Sequence, residues 1–273
     1  MTRLLHRIAL PRNFVTTTQK PHHPAQYCRA LHTSPIMSAP APYLLHVTSR
    51  PTQVSLQTWK KWYASEHLPD LVGSGTSIRA TLYEEIDLPG ATAGSSERRF
   101  LAMYQTPFET CLEKEQYRGL RTTSGLFEKD GAGSSDIEDN GDFNARNYGL
   151  IQVFDPKGLG ESPPPEILTA EAQPADPDDY DAWFRTEHMD QLAALPGYRR
   201  TLRYKLGPRT ALTKGEDVPL FLAVHEVEDA GKWMAGRAEA AKTATPSEWA
   251  VRNVRGCRVF RVRGWRLVHG EGH

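Results

Sequence analysis

Apolar positions recur along the chain in two spacings, and their alternation predicts the elements. Residues 43–48 form a short apolar run suited to a strand, and residues 55–72 carry apolar side chains at helical spacing. Residues 78–86 again read as a strand, residues 88–96 as a loop rich in Gly, Ala and Ser, and residues 100–105 as a third strand. A helix is expected over 108–126, an exposed Gly/Ser/Asp/Asn-rich loop over 129–146, and a closing strand over 148–154. The order is βαββαβ. The same order returns over 167–172, 179–195, 198–205, 220–227, 230–241 and 257–267.

The two series are one repeated unit. Displacing the sequence by 121 positions lays Trp62 on Trp183, Tyr63 on Phe184, Glu66 on Glu187, His67 on His188 and Leu71 on Leu192. Without a gap, Arg79 then falls on Arg200, Tyr83 on Tyr204, and Phe100-Leu101-Ala102 on Phe221-Leu222-Ala223. Three blocks in one frame mark an internal duplication. The first unit covers residues 43–155 and the second 166–268. The connector, 156–165, ends in three prolines, which favour a stiff extended path. A βαββαβ unit makes an antiparallel sheet with both helices on one face, so its other face needs a cover, which a second copy supplies.

The repeated motif interrupts an apolar stripe. If residues 179–195 form a helix, Tyr180, Trp183, Phe184, Glu187, His188, Gln191 and Leu192 share one face, and Trp59, Trp62, Tyr63, Glu66, His67, Asp70 and Leu71 share the matching one. Buried Glu and His need polar partners, water or a ligand, so a pocket between helix and sheet is expected in each unit. Arg79 and Tyr83, and likewise Arg200 and Tyr204, alternate onto one strand face and are the expected partners. Tyr104 and His225 occupy matching places on the third strand, so the halves are chemically unequal. His188, His67 and His225, with Tyr204 and Tyr83, are the candidates for proton transfer, because imidazole titrates near neutral pH. Glu187, Glu66, Arg200, Arg79, Trp183, Trp62, Phe184, Tyr63 and Tyr104 are the candidates for binding substrate. The blander alternatives stand beside these: each Glu paired with its Arg, the tryptophans as core, and each His tying its helix to the sheet.

Trp62 to Pro69 (Trp-Tyr-x-x-Glu-His-Leu-Pro), and Trp183 to Met189 followed by Leu195-Pro196-Gly197-Tyr198, resemble EthD-domain proteins of the dimeric α/β barrel superfamily. The resemblance spans nearly all of residues 43–268. It implies an α+β fold in which two tandem ferredoxin-like units close face to face as an intramolecular pseudo-dimer. It leaves the reaction open, since relatives include monooxygenases, decarboxylases, dehydratases, isomerases, cyclases and haem-handling proteins.

Composition narrows the classes further. The chain of 273 residues has 33 basic and 33 acidic residues, but the first acid is Glu66, while Arg3, Arg7, Arg12, Lys20 and Arg29 precede Met37. The amphipathic, acid-free segment 1–36 reads as a mitochondrial presequence, with a matrix location. The alternative is an extension ahead of a cytosolic protein starting at Met37. Removing it leaves 28 basic residues against 33 acidic ones, which disfavours nucleic acid as a partner. No apolar run approaches the roughly 18 residues of a membrane span. Cys28, Cys111 and Cys257 lack metal-site spacing, Asp70 beside His67 has no counterpart in the second unit, and Gly73-Ser74-Gly75 falls short of a dinucleotide fingerprint. No metal and no cofactor are expected. His269 to His273 is expected to be a frayed tail. These features point to a cofactor-independent lyase or isomerase moving protons on a hydrophobic, aromatic or polyketide-like carbonyl compound. The alternatives are a cofactor-free monooxygenase, an oxidoreductase by class, and a non-catalytic small-molecule or haem-binding protein. A monomer is expected, with homo-oligomers left open.

Overall fold

The computed structural model describes residues 40–88 and 98–273. The expected presequence, the alternative start at Met37 and all but the first residue of the expected 88–96 loop lie outside the described residues. Among the described residues no helix is long and apolar enough to cross a membrane.

The described residues form eight strands: β1 (Tyr43–Pro51), β2 (Arg79–Ile86), β3 (Phe100–Thr106), β4 (Gly141–Phe154), β5 (Glu166–Pro174), β6 (Tyr198–Arg209), β7 (Phe221–Val227) and β8 (Cys257–Glu271). All neighbours are antiparallel, and the sheet closes into a barrel in the order β1-β3-β2-β8-β5-β7-β6-β4. Within each half the order is fourth, first, third, second. The halves meet along two seams, β2 with β8 (Leu82 opposite His269) and β4 with β6 (Leu150 opposite Tyr204).

Two-residue alternation sorts the strand side chains into a lumen and an outer core. In β1, Leu44 joins the lumen cluster while Leu45 and Val47 join the outer one. All eight strands contribute to the lumen cluster, among them Tyr83, Leu101, Tyr148, Ile167, Leu202, Tyr204, Leu222 and Trp265. Both faces of the strands are therefore buried, which is why they read as apolar runs. The outer cores are covered by helices: α1 (Leu56–Trp62) and α2 (Leu68–Gly73) on the first half, α6 (Pro177–Trp183), α7 (Met189–Ala193), α8 (Ala230–Thr243) and α9 (Glu248–Arg255) on the second.

The expected helix over 108–126 is not one helix. A 3₁₀ turn at Cys111–Glu113 leads into α3 (Glu115–Arg118), then come α4 (Gly125–Lys129) and α5 (Ile137–Asn140). Gly119 closes α3, Thr123 pairs with Asp136 as an isolated bridge, and the Ser124 side chain caps α4, so residues 121–124 run extended. The expected loop 129–146 likewise gives way to β4, which starts at Gly141. The C-terminal tail is not frayed, because β8 runs to Glu271 against Ala80.

The connector also departs from a stiff rod. Gly158 and Gly160 adopt φ of 63° and 68°, and their turn is tied by Leu159 and Gly160 N–H groups donating to the Asp155 carboxylate. That turn delivers Glu161 to a buried ion cluster. Its carboxylate meets Arg200 at 2.6 Å and Arg79 at 3.5 Å, the two repeat-equivalent arginines, and Arg200 also meets Glu226 at 2.8 Å. One connector residue thus holds both halves. Removing Arg200 would strand the buried Glu226 carboxylate and leave Glu161 with Arg79 alone, a loss of about 3–5 kcal/mol for a broken buried pair. Arg200→Leu is expected to lower the urea midpoint by that equivalent at pH 8, and an unchanged midpoint would refute the clamp.

Candidate functional site

The repeated motif does not sit on an ordinary helix. Ser55 and Asp176 cap α1 and α6, whose last turns carry Trp62 and Trp183. Each helix then passes through a π-helical turn, Tyr63–His67 and Phe184–His188, where the Leu68 and Met189 N–H groups donate to the Tyr63 and Phe184 carbonyls. Such a turn inserts one residue into the α-helical count. The buried positions therefore step by five, from Tyr63 to Leu68 and from Phe184 to Met189, before resuming at Leu71 and Leu192. The insertion rotates each Glu off the inward stripe and leaves each His at the wall of a cavity.

The first half carries a cavity between helix and sheet. Trp62, Tyr63, His67, Tyr104 and Tyr117 give its wall both apolar area and hydroxyls. His67 stacks on Trp62 at 4.6 Å and meets Tyr104 edge-on at 6.0 Å, and Tyr63 Oη lies 3.1 Å from Ser49 Oγ. Burial pushes the His67 imidazole down to about 3, so it is neutral. Burial raises the Tyr63 and Tyr104 phenols, which stay protonated.

The equivalent cavity of the second half carries two imidazoles. His188 stacks on Trp183 at 4.5 Å, and its Nδ1 is buried with no hydrogen-bond partner among the described residues. His225 lies between Phe184 (6.3 Å) and Trp233 (6.1 Å). Its Nδ1 is 2.8 Å from Thr201 Oγ1, which is itself 2.8 Å from Tyr198 Oη, so a hydrogen-bonded chain fixes the ring and leaves Nε2 for a ligand. Burial, then Arg237, holds His188 down at about 4; burial, His188 and Arg237 hold His225 at about 3. Both rings are neutral and can accept a proton or donate a hydrogen bond.

The expected strand partners are elsewhere. Tyr83 and Tyr204 belong to the lumen cluster, and Arg79 and Arg200 to the ion cluster around Glu161, so none of the four lines a helix–sheet cavity. Glu66 and Glu187 do not pair with them. Glu66 meets Arg121 at 3.6 Å, and Glu187 accepts hydrogen bonds from Gln191 and from Ser247, the residue that caps α9. The reason is register: the side of β6 beneath the helix carries Thr201 and Arg203, with the Arg203 guanidinium 4.1 Å above the Phe184 ring. Trp62, Tyr63, Trp183, Phe184, Tyr104 and His225 line the cavities. Thr201, Tyr198, Trp233 and Arg237 join the second site without having been expected from the sequence. The four-residue spacing of Trp233 and Arg237 on α8 is the signal available for the last two.

No family model and no curated protein matches the chain. Solved structures do. A proposed monooxygenase from Fusobacterium nucleatum subsp. nucleatum is 8% identical, covers 85% of this chain and 94% of its own, and has a TM-score of 0.49. An anthrone oxidase-like protein is 16% identical over 84% of this chain and 93% of its own, at 0.46. A mutant chlorite dismutase from Candidatus Nitrospira defluvii is 13% identical over 85% and 94%, at 0.42.

The buried imidazoles make stability depend on pH. His46 in the lumen, also held at about 4 by burial, joins His67, His188 and His225 in titrating well below the ordinary 6.5. Below pH 6.5 the unfolded chain binds protons that the folded chain refuses, so stability falls with pH until the folded values are reached. Glu226, raised to about 7 by burial, acts in the opposite sense between its ordinary 4.5 and 7. Four groups outweigh one. The urea midpoint is expected to drop steadily from pH 7 to pH 4.5, and a flat or rising midpoint would show the imidazoles are not buried neutral.

Proposed function

We propose that the protein is a cofactor-independent enzyme that transfers protons on a hydrophobic carbonyl compound, aromatic or polyketide-like, in the cavity of the second half. The observation that carries this reading is the pair of buried neutral imidazoles facing one aromatic-walled cavity, one of them tied into the Thr201–Tyr198 chain. We also propose the finer architecture, two tandem ferredoxin-like EthD-type units acting as an intramolecular pseudo-dimer, supported by the equal strand order in each half. Residues 1–36 are proposed to be a presequence.

In this scheme the His188 imidazole takes a proton from the carbon next to the carbonyl. The C–H electron pair moves into the carbonyl, whose oxygen becomes an enolate. His225, in its Nε2–H form, donates a hydrogen bond to that oxygen, with Thr201 holding the tautomer through Nδ1. Preorganised donors aimed at a developing oxyanion commonly supply more of the rate acceleration than any other device. Forming imidazolium and enolate together adds no net charge to a buried site. Glu187 positions the π-turn through Ser247 and takes no proton. Isomerisation returns the proton from His188 to another carbon of this enolate and dehydration expels a β-hydroxyl from it as water with that proton, whereas decarboxylation forms the enolate by loss of carbon dioxide and then takes up a proton at carbon.

The test is deuterium exchange at the carbon next to the carbonyl, followed by NMR for a panel of aryl ketones and β-keto acids in D2O. Wild-type protein is expected to accelerate exchange, His188→Ala to lose at least about 100-fold, in line with general-base contributions, and His225→Phe to lose a comparable factor. Full exchange in both variants would overturn the assignment. Turnover that requires dioxygen would move the cavity to the oxygenase alternative.

A further inference from the structure

The second cavity holds a charge without a counter-charge among the described residues. Arg237, on α8, lines it together with His188, His225, Trp183, Phe184 and Trp233. Burial alone acts on the Arg237 guanidinium, which is pushed below the ordinary arginine value with no carboxylate bearing on it. The acids nearby are committed: Asp181 to Arg203 (2.8 Å) and Arg185 (2.7 Å), and Glu187 to Ser247 and Gln191. Arg79, Arg146, Arg200, Arg203 and Arg263 each face a carboxylate. A half-buried guanidinium without a carboxylate partner is a ready anchor for an anion, and its planar donors match a carboxylate. Beside it the buried Nδ1 of His188 also lacks a partner. The first cavity carries no arginine at its described wall.

We propose that the second cavity binds an anionic ligand, an aromatic carboxylate whose carboxyl group is held by Arg237 while its ring lies among Trp183, Phe184 and Trp233. This rests on the reading of that cavity as the substrate site and narrows it to keto acids and related carboxylates. The bound anion would do more than anchor. Arg237 is one of the charges that depress both imidazoles, so neutralising it makes His188 a stronger base when substrate is present. The free protein then keeps a weak base and the complex an adequate one.

The experiment is isothermal titration of the full chain with 2-naphthoate and with the neutral 2-naphthyl methyl ketone. Wild-type protein is expected to bind the carboxylate at least 10-fold tighter. Arg237→Gln should abolish that preference while still binding the ketone, and Arg237→Lys should retain part of it. Because the guanidinium has no partner in the free protein, Arg237→Gln is expected to melt no lower than wild type, a readout that a structural role would reverse. If both probes bind wild type equally, the carboxylate assignment fails and the cavity remains a ligand site. If neither probe binds, the reading of the cavity as the substrate site fails with it.

Discussion

The rest of the structure depends on one constraint: eight antiparallel strands close into a barrel with helices on its outer face, so that the inner face is covered by the barrel's own opposite wall. Strands buried on both sides follow from that, and so do the two seams β2–β8 and β4–β6 that leave no free edge. Closure also creates a lumen, and a lumen of this size is filled by side chains. Leu44, Leu101, Ile167 and Leu222 fill its middle, while polar groups gather towards both ends. At one end Arg146 and Arg261 share Glu171, and Arg263 holds Glu85 through two parallel bonds. At the other, Glu161 from the connector joins Arg79 and Arg200. The repeat-equivalent arginines are thus committed to holding the halves together.

Among the described residues, the two cavities that the repeated motif lines lie outside the barrel, between sheet and helices. The π-turn determines what that space contains. An uninterrupted α-helix would have turned Glu187 inward with His188; the extra residue sends Glu187 to Ser247 at the start of α9 and keeps His188 against Trp183. Because the same turn occurs at Tyr63–His67, it is a property of the repeated unit and not an accident of one half. The halves differ in what faces the turn. Tyr104 in the first half gives a cavity of phenols, and His225 in the second gives a cavity of imidazoles with Arg237 beside them.

The repeated motif, the positions of the strands and the histidines at the cavity walls are legible in the sequence because they rest on spacing, and spacing survives folding. The partners are not. Which strand face lies beneath a helix depends on a register that alternation cannot set by itself: Arg200, Leu202 and Tyr204 do share one face, but that face is the lumen. The π-turn has no composition signature, so ordinary helical spacing puts Glu66 and Glu187 on the inward stripe. Residues 108–126 have helical spacing but lose their helix to Gly119 and the extended stretch before Ser124. The four-residue spacing of Trp233 and Arg237 puts the arginine on the side of α8 that carries the tryptophan, but that it lacks a carboxylate partner emerges only once the acids around it are seen to be engaged in the folded chain.

Ligand binding between helix and sheet in the second half, and not in the lumen, is tested most directly by a crystal structure with 6-bromo-2-naphthoate, read by the anomalous signal of bromine. The bromine peak is expected among Trp183, Phe184 and Trp233, with the carboxylate on Arg237. A peak inside the barrel, or in the first cavity alone, would contradict that placement.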